Sequence, residues 1–248
     1  MSSPPLYQVF RQRTVDYRQA WDLQVSLAHE IRNHRRPNTL LLLEHPPTYT
    51  LGRLSPADQI LLAPEELERR GISVCETDRG GQVTYHGPGQ LVAYPVVDLR
   101  DWGGPLKYVR TLEQVIISTL ADFHLEGRLE DGKTGVWVGD GKIAAIGVKI
   151  SRGVAFHGLA INVNTDLSYF SHIVPCGIPD LRVTSIAQEA GRPIDMDQVQ
   201  YSLIYRFGQQ MGFKMVKREE AAYLETSTAD APLYAVQAGN SLGKLRGE

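Results

Sequence analysis

Apolar positions recur at Tyr17, Trp21, Val25, Ala28 and Ile31, a helical spacing, and Thr14 stands where it would cap that helix. The run 40–44 predicts a short buried strand, stopped by His45-Pro46-Pro47. Residues 64–70 predict a short helix that begins on Pro64 and ends at Gly71. A short strand at 72–76 carries Cys75. Two more, 82–85 and 91–97, flank the turn His86-Gly87-Pro88-Gly89. Leu106, Val109, Leu112, Ile116, Leu120 and Phe123 mark a second amphipathic helix. Strands at 135–138, 142–150 and 154–163 follow, the first pair joined by the hairpin turn Asp140-Gly141. Val199, Leu203, Phe207 and Met211 mark a third helix. Strands in runs between helices predict an α+β fold: a mixed, mainly antiparallel sheet flanked by helices.

The chain has 248 residues, 42% of them hydrophobic and 22% charged, an ordinary globular balance that can bury a sizeable core. No repeat, low-complexity block or linker divides it, so a single domain over 1–225 is expected, with a weakly patterned tail at 226–248. Lys+Arg 26 against Asp+Glu 28 leaves no basic excess, so neither nucleic acid nor a membrane surface is the expected partner. Two cysteines make neither a disulfide framework nor a four-cysteine zinc site. Apolar runs are short and the first residues carry no targeting pattern. A soluble, cytoplasmic protein with free thiols is the expectation.

Several segments carry candidate chemistry. Gly127 with Gly132-Lys133-Thr134 matches the letters of a phosphate-binding loop. Glu130 and Asp131 lie inside it, and a strand rather than a helix follows, so a surface turn is expected instead. Lys142 opens a strand whose alternation puts it with Ala144, Ile146, Val148 and Ile150, the more apolar face. An ammonium there is costly unless paired or used, although a strand-end lysine also reaches water readily. Cys176 sits between Pro175 and Gly177, hence in a turn that a substrate can approach, and backbone N–H groups after it are placed to hold an oxyanion. A reactive thiol needs a nearby cation, for which Lys142 is a candidate. Cys75 reads as an ordinary buried cysteine. Four glycines in 79–90 suggest backbone passing close to a ligand, or simply a bulged hairpin connection. His86 there suits a base, a donor or a structural role. His157, His172 and Cys176 lack metal-ligand spacing, so no metal is expected.

Glu44-His45-Pro46-Pro47-Thr48-Tyr49-Thr50-Leu51-Gly52-Arg53, the stretch 79–90, Lys142-Ile143-Ala144-Ala145-Ile146-Gly147, Phe156-His157-Gly158-Leu159-Ala160-Ile161-Asn162 and Pro175-Cys176-Gly177-Ile178 together resemble the lipoyl(octanoyl) transferases. The resemblance covers roughly residues 5–190 and fades beyond about 195. It implies the fold of the biotin and lipoate protein ligases. It implies an acyltransferase that moves octanoyl from octanoyl-acyl carrier protein to a specific lysine of lipoyl domains. Those acceptors would belong to 2-oxoacid dehydrogenase complexes or the glycine cleavage H protein. Cys176 would be the acyl acceptor and Lys142 its dyad partner. Arg79, Gly80, Gly81, Gln82, Val83, Thr84, Tyr85 and His86, with Ala145, Ile146, Gly147, Gly158, Leu159 and Ala160, would line the acyl pocket. No cofactor is implied: exchanging one thioester for another is nearly isoenergetic, and amide formation is downhill.

Three other readings compete. An ATP-dependent lipoate or biotin ligase would need no nucleophilic cysteine. A non-catalytic acyl-binding protein would never be acylated. A cysteine thioesterase would hydrolyse the same acyl-enzyme in water.

Overall fold

The computed structural model describes residues 6–217 apart from 57, 179 and 180. The tail expected at 226–248 lies outside them. Among the described residues, ten strands fall into two sheets. The larger contains β1 (Leu6–Thr14), β2 (Thr39–Glu44), β6 (Gln90–Asp98), β7 (Val136–Val138), β8 (Gly141–Ser151), β9 (Val154–Asn162) and β10 (Lys214–Lys217). Its order is β10-β1-β2-β6-β9-β8-β7. β1 runs parallel to β2 and β10, and the other pairings are antiparallel. The smaller sheet orders β4 (Ser73–Glu76), β3 (Thr48–Leu51) and β5 (Thr84–His86), with β3 central.

The large sheet is covered on both faces, which explains why β2 and β6 read as unbroken apolar runs rather than alternating ones. Leu40, Leu42, Leu91 and Ala93 face α3 (Pro105–Ala121) and α5 (Met196–Met211) through Leu112, Ile116, Leu203 and Phe207. Leu41, Leu43, Val92 and Tyr94 face α1 (Tyr17–Arg32) through Tyr17, Ala20, Leu27 and Ile31. A short α2 (Pro64–Arg69) leads into β4, and Gly71 ends that helix in the left-handed region at φ 63°. A short α4 (Ile186–Ala190) precedes α5.

Three local expectations need correction. The cap of α1 is Asp16, whose carboxylate accepts from Arg18 N and Gln19 N, and not Thr14, which ends β1. The apolar stripe of α1 is rotated: Val25 is 50% exposed, whereas the polar Gln24 is buried. Its amide donates to Ala20 O and its oxygen accepts from the backbone of His157, so two hydrogen bonds hold Gln24 inside. Finally, β8 carries a bulge. Trp137 pairs with Lys142 but Val136 with Ala144, leaving Ile143 as the extra residue. Ala144, Ile146, Val148 and Ile150 pack on the α3 side as expected. The bulge turns Lys142 away from them, to the side of Ala145 and Gly147.

Candidate active site

A cavity of about 410 Å³ opens between the β8–β9 ladder and the small sheet. Its floor is made of small residues: Ala145 pairs with Ala160 and Gly147 with Gly158. Lys142, Ile146, Leu159, Arg79, Gly81, Gln82, Thr84 and His86 also line it, so most of the expected pocket residues converge. Three do not. Val83 and Tyr85 alternate with Gln82, Thr84 and His86 and turn into a separate core with Tyr49 and Phe170. Gly80 anchors the loop, its N–H donating to Val148 O at 3.1 Å.

Lys142 is nine-tenths buried. Its ammonium donates to Thr134 O at 3.0 Å and lies 4.9 Å from the centre of the Trp137 ring. Gly135 makes this possible: a Cβ there would sit 2.7 Å from Lys142 Cε, and its φ of 130° suits glycine alone. The backbone of Lys142 is clamped as well, donating to Arg182 O at 2.8 Å and accepting from Thr184 N at 3.0 Å. The chain just after Cys176 is therefore stitched to the residue that the resemblance pairs with it.

Cys176 lies in a single 3₁₀ turn, Pro175–Gly177, and its side chain is outside the described set. The neighbours place the turn. Ile178 lines the main cavity, and Pro175 lines a small adjoining pocket shared with Lys142 and Thr84. Gly177, at φ 67°, rests against the Gln82 side chain with no room for a Cβ. The oxyanion expectation fails for the two N–H groups that follow the cysteine. Gly177 N donates to Val174 O at 3.0 Å and Ile178 N to Pro175 O at 3.1 Å, so the turn consumes both. The segment with phosphate-loop letters is a turn, as expected, but Gly132, Lys133 and Thr134 stand at the cavity edge.

The rest of the wall is a buried polar network that spacing did not reveal. His45 donates through Nδ1 to Val15 O at 2.7 Å, which leaves Nε2 to accept from the Tyr94 hydroxyl at 2.7 Å. Burial lowers the His45 pKa to about 4, so the ring is neutral at physiological pH. His86 Nδ1 donates to Gln90 Oε1 at 2.7 Å; the Gln90 amide is oriented by donating to Tyr85 O and Asn162 Oδ1. Burial, reinforced by His45 and Arg79, holds His86 well below its ordinary pKa. Arg79 is tied to Thr50 Oγ1, Thr50 O and Gly80 O. His157 donates from Nε2 to Asp78 Oδ1 at 2.7 Å, and Lys149 reaches the other carboxylate oxygen at 2.6 Å. His157 has φ 56°, a left-handed conformation inside a strand that turns its ring toward Trp21 and Tyr94. Spacing singled out His157 only for a metal test, and missed His45, Asp78, Tyr94 and Gln90. Their weak signal was position within or beside the glycine-rich and His-Pro-Pro stretches.

Residues 16–208 match the family described as the lipoyl protein ligase A/B catalytic domain. The chain belongs to that family. An octanoyltransferase of Chloroflexus aurantiacus is 50% identical over 211 residues, 84% of this chain and 94% of that protein. A mitochondrial octanoyltransferase of Arabidopsis thaliana is 44% identical over 201 residues, covering 80% and 86%. The enzyme is thus an acyltransferase of the octanoyltransferase group. A lipoate protein ligase from Thermoplasma acidophilum aligns with TM-score 0.66 at 17% identity, covering 91% of this chain and 90% of that one. The enzyme has the fold that lipoate and biotin ligases share, as the sequence resemblance implies. No helix among the described residues is long and apolar enough to cross a membrane.

Proposed function

We propose that the enzyme transfers octanoyl from the phosphopantetheine thioester of acyl carrier protein to Cys176, and from there to a specific lysine of a lipoyl domain. The Cys176 thiolate attacks the thioester carbonyl, the donor C–S bond breaks, and the departing phosphopantetheine thiolate takes a proton from the Lys142 ammonium, which becomes the neutral amine. The acceptor amine then attacks the new thioester. An amide forms, Cys176 leaves as thiolate, and the amine's proton passes to a neutral Lys142. In its charged form Lys142 favours the thiolate in the first step. The acyl chain lies over Ala145, Gly147, Gly158 and Ala160, where burial contributes about 0.8 kcal/mol per CH₂. A thiol that must stay reduced suits the cytoplasm.

One observation carries this reading: a buried lysine ammonium on the wall of an apolar-floored cavity that Ile178, two residues after Cys176, also lines. The test is intact mass after incubation with octanoyl-acyl carrier protein without ATP. A hydroxylamine-labile octanoyl adduct on Cys176 that a lipoyl domain discharges is the expected result. No adduct on folded protein, or full transfer by Cys176→Ala, would refute it.

A further inference from the structure

The turn that carries Cys176 has used the amides after the cysteine within itself, since Gly177 N and Ile178 N donate back to Val174 O and Pro175 O. A thioester carbonyl attacked there develops negative charge on its oxygen, and that charge needs a donor from another element. Gln82 stands against the turn. The three atoms nearest to a Cβ built on Gly177 all belong to its side-chain amide, with Nε2 at 2.7 Å. Gln82 also lines the cavity, together with Lys142 and Ile178.

A second glutamine fixes which way that amide points. Gln59 is buried, and Val83 N donates to its Oε1 at 3.3 Å. A backbone N–H only donates, so the oxygen of Gln59 faces Val83 and its nitrogen faces Gln82. Gln59 Nε2 donates to Gln82 Oε1, which leaves the two N–H groups of Gln82 Nε2 for another acceptor. Among the described residues Gln82 Nε2 has no hydrogen-bond partner. Gln59 anchors the cysteine segment as well. Its carbonyl accepts from Val174 N at 2.9 Å, Leu61 N donates to His172 O at 2.8 Å, and Ile60 pairs with Ile173. One residue therefore holds the Gln82 amide and the approach to the Cys176 turn together.

We infer that Gln82 is a further catalytic residue, whose Nε2 donates to the thioester carbonyl oxygen as it becomes an oxyanion. This rests on the acyl-transfer reading above. When the Cys176 thiolate adds to the carbonyl carbon, the C=O π pair moves onto oxygen, where the Gln82 N–H meets it. The pair returns as the donor C–S bond breaks. The same donor serves the second tetrahedral intermediate, formed when the acceptor amine attacks the Cys176 thioester. A neutral amide does this without adding a titrating group beside the thiol and Lys142.

The test sets two reactions of Cys176 side by side in Gln82→Met, a side chain of similar length that neither donates nor carries charge. Acylation by octanoyl-acyl carrier protein passes through an oxyanion. Alkylation by iodoacetamide displaces iodide and does not. Each rate is read at Cys176 by peptide mass. Acylation should fall about 10²-fold, while alkylation at the same pH stays near wild type. Wild-type acylation in Gln82→Met would overturn the inference. So would an equal fall in the two reactions, which marks a displaced turn. Gln82→Glu covers a methionine variant that does not fold: its carboxylate keeps an oxygen for Gln59 Nε2 but has no donor, and wild-type acylation would overturn the inference equally. No octanoyl adduct on the wild-type enzyme, with alkylation intact, would instead overturn the acyl-transfer reading and this inference with it.

Discussion

Gly158→Ala offers a test of how closely β9 and β6 approach. A Cβ on Gly158 would lie 2.1 Å from Ala93 O and 2.7 Å from Pro95 Cδ. The preceding His157, at φ 56°, marks a departure from regular extended backbone at this point of the strand. Ordinary contact needs more than an ångström of additional separation. The obstructing atoms are backbone and proline ring in the middle of a seven-stranded sheet, so no flexible side chain can swing aside. Overpacking typically costs 1–3 kcal/mol, and the rigid partner argues for the upper end, about 3 kcal/mol. The lower unfolded-state entropy of alanine returns less than about 1 kcal/mol. A net loss of about 2–3 kcal/mol corresponds to a fall of about 5–10 °C in Tm for a domain of this size. Calorimetry and urea unfolding at unchanged m-value would measure it. Gly191→Ala is the control: its φ is 66° but nothing lies within 4 Å, so only about 1 kcal/mol is at stake. A Gly158→Ala protein within about 0.5 kcal/mol of wild type would refute the steric argument. Because Gly158 is also cavity floor, acyl transfer should fall further than the loss of folded protein explains.

Lys142→Ala should slow acylation of Cys176 by about 10² or more, within the range of general acid–base effects, read as the rate of adduct appearance by mass. Wild-type rates would refute its role. Cys75→Ala should leave transfer unchanged and cost about 1 kcal/mol, because its thiol is buried in a small sheet and burial raises its pKa away from reactivity; lost activity would sink this. Stability should also fall with mild acid. His45 titrates near 4 when folded but near 6.5 when unfolded, so between those values the unfolded chain binds the extra proton. The stability lost grows from about pH 6.5 downward and reaches its limit below pH 4. At pH 5.5 this one ring should cost about 1 kcal/mol relative to neutral pH, with His86 adding to it, and an unchanged denaturation midpoint would contradict the neutral-histidine network.

The elements most legible from residue order are those whose pattern has one cause. α3 and α5 announce their apolar stripes, and the β7–β8–β9 run follows from alternation and the Asp140-Gly141 turn. β1 is hard to read from residue order because Arg11 and Arg13 interrupt its apolar alternation. β3 was hidden by the prolines before it, which read as a loop. Most of the residues that the resemblance implies for an acyl pocket line the one cavity described above, but alternation turns Val83 and Tyr85 away from it, into the core with Tyr49 and Phe170. The face of Lys142 differs from the one alternation gives because a bulge is set by the pairing of two strands, which one strand's pattern does not express. The histidine network was out of reach for a related reason. Its partners are separated by 49, 79 and 133 positions in the chain, and only the finished sheet brings them together.

The position of β10 has a consequence for synthesis. β1 lies between β2 and β10, yet its two neighbours emerge from the ribosome at very different times. α1 and β2 follow directly and can pair with β1 early, whereas residues 214–217 arrive some two hundred positions later. Until then β1 is an open edge, with unpaired N–H and C=O groups available to any passing strand. β10 covers that edge with a four-residue strand that starts and ends in lysine, short and charged enough to discourage further pairing. A nascent chain interrupted before residue 214 would retain the cavity-forming strands and yet be the species most prone to aggregate.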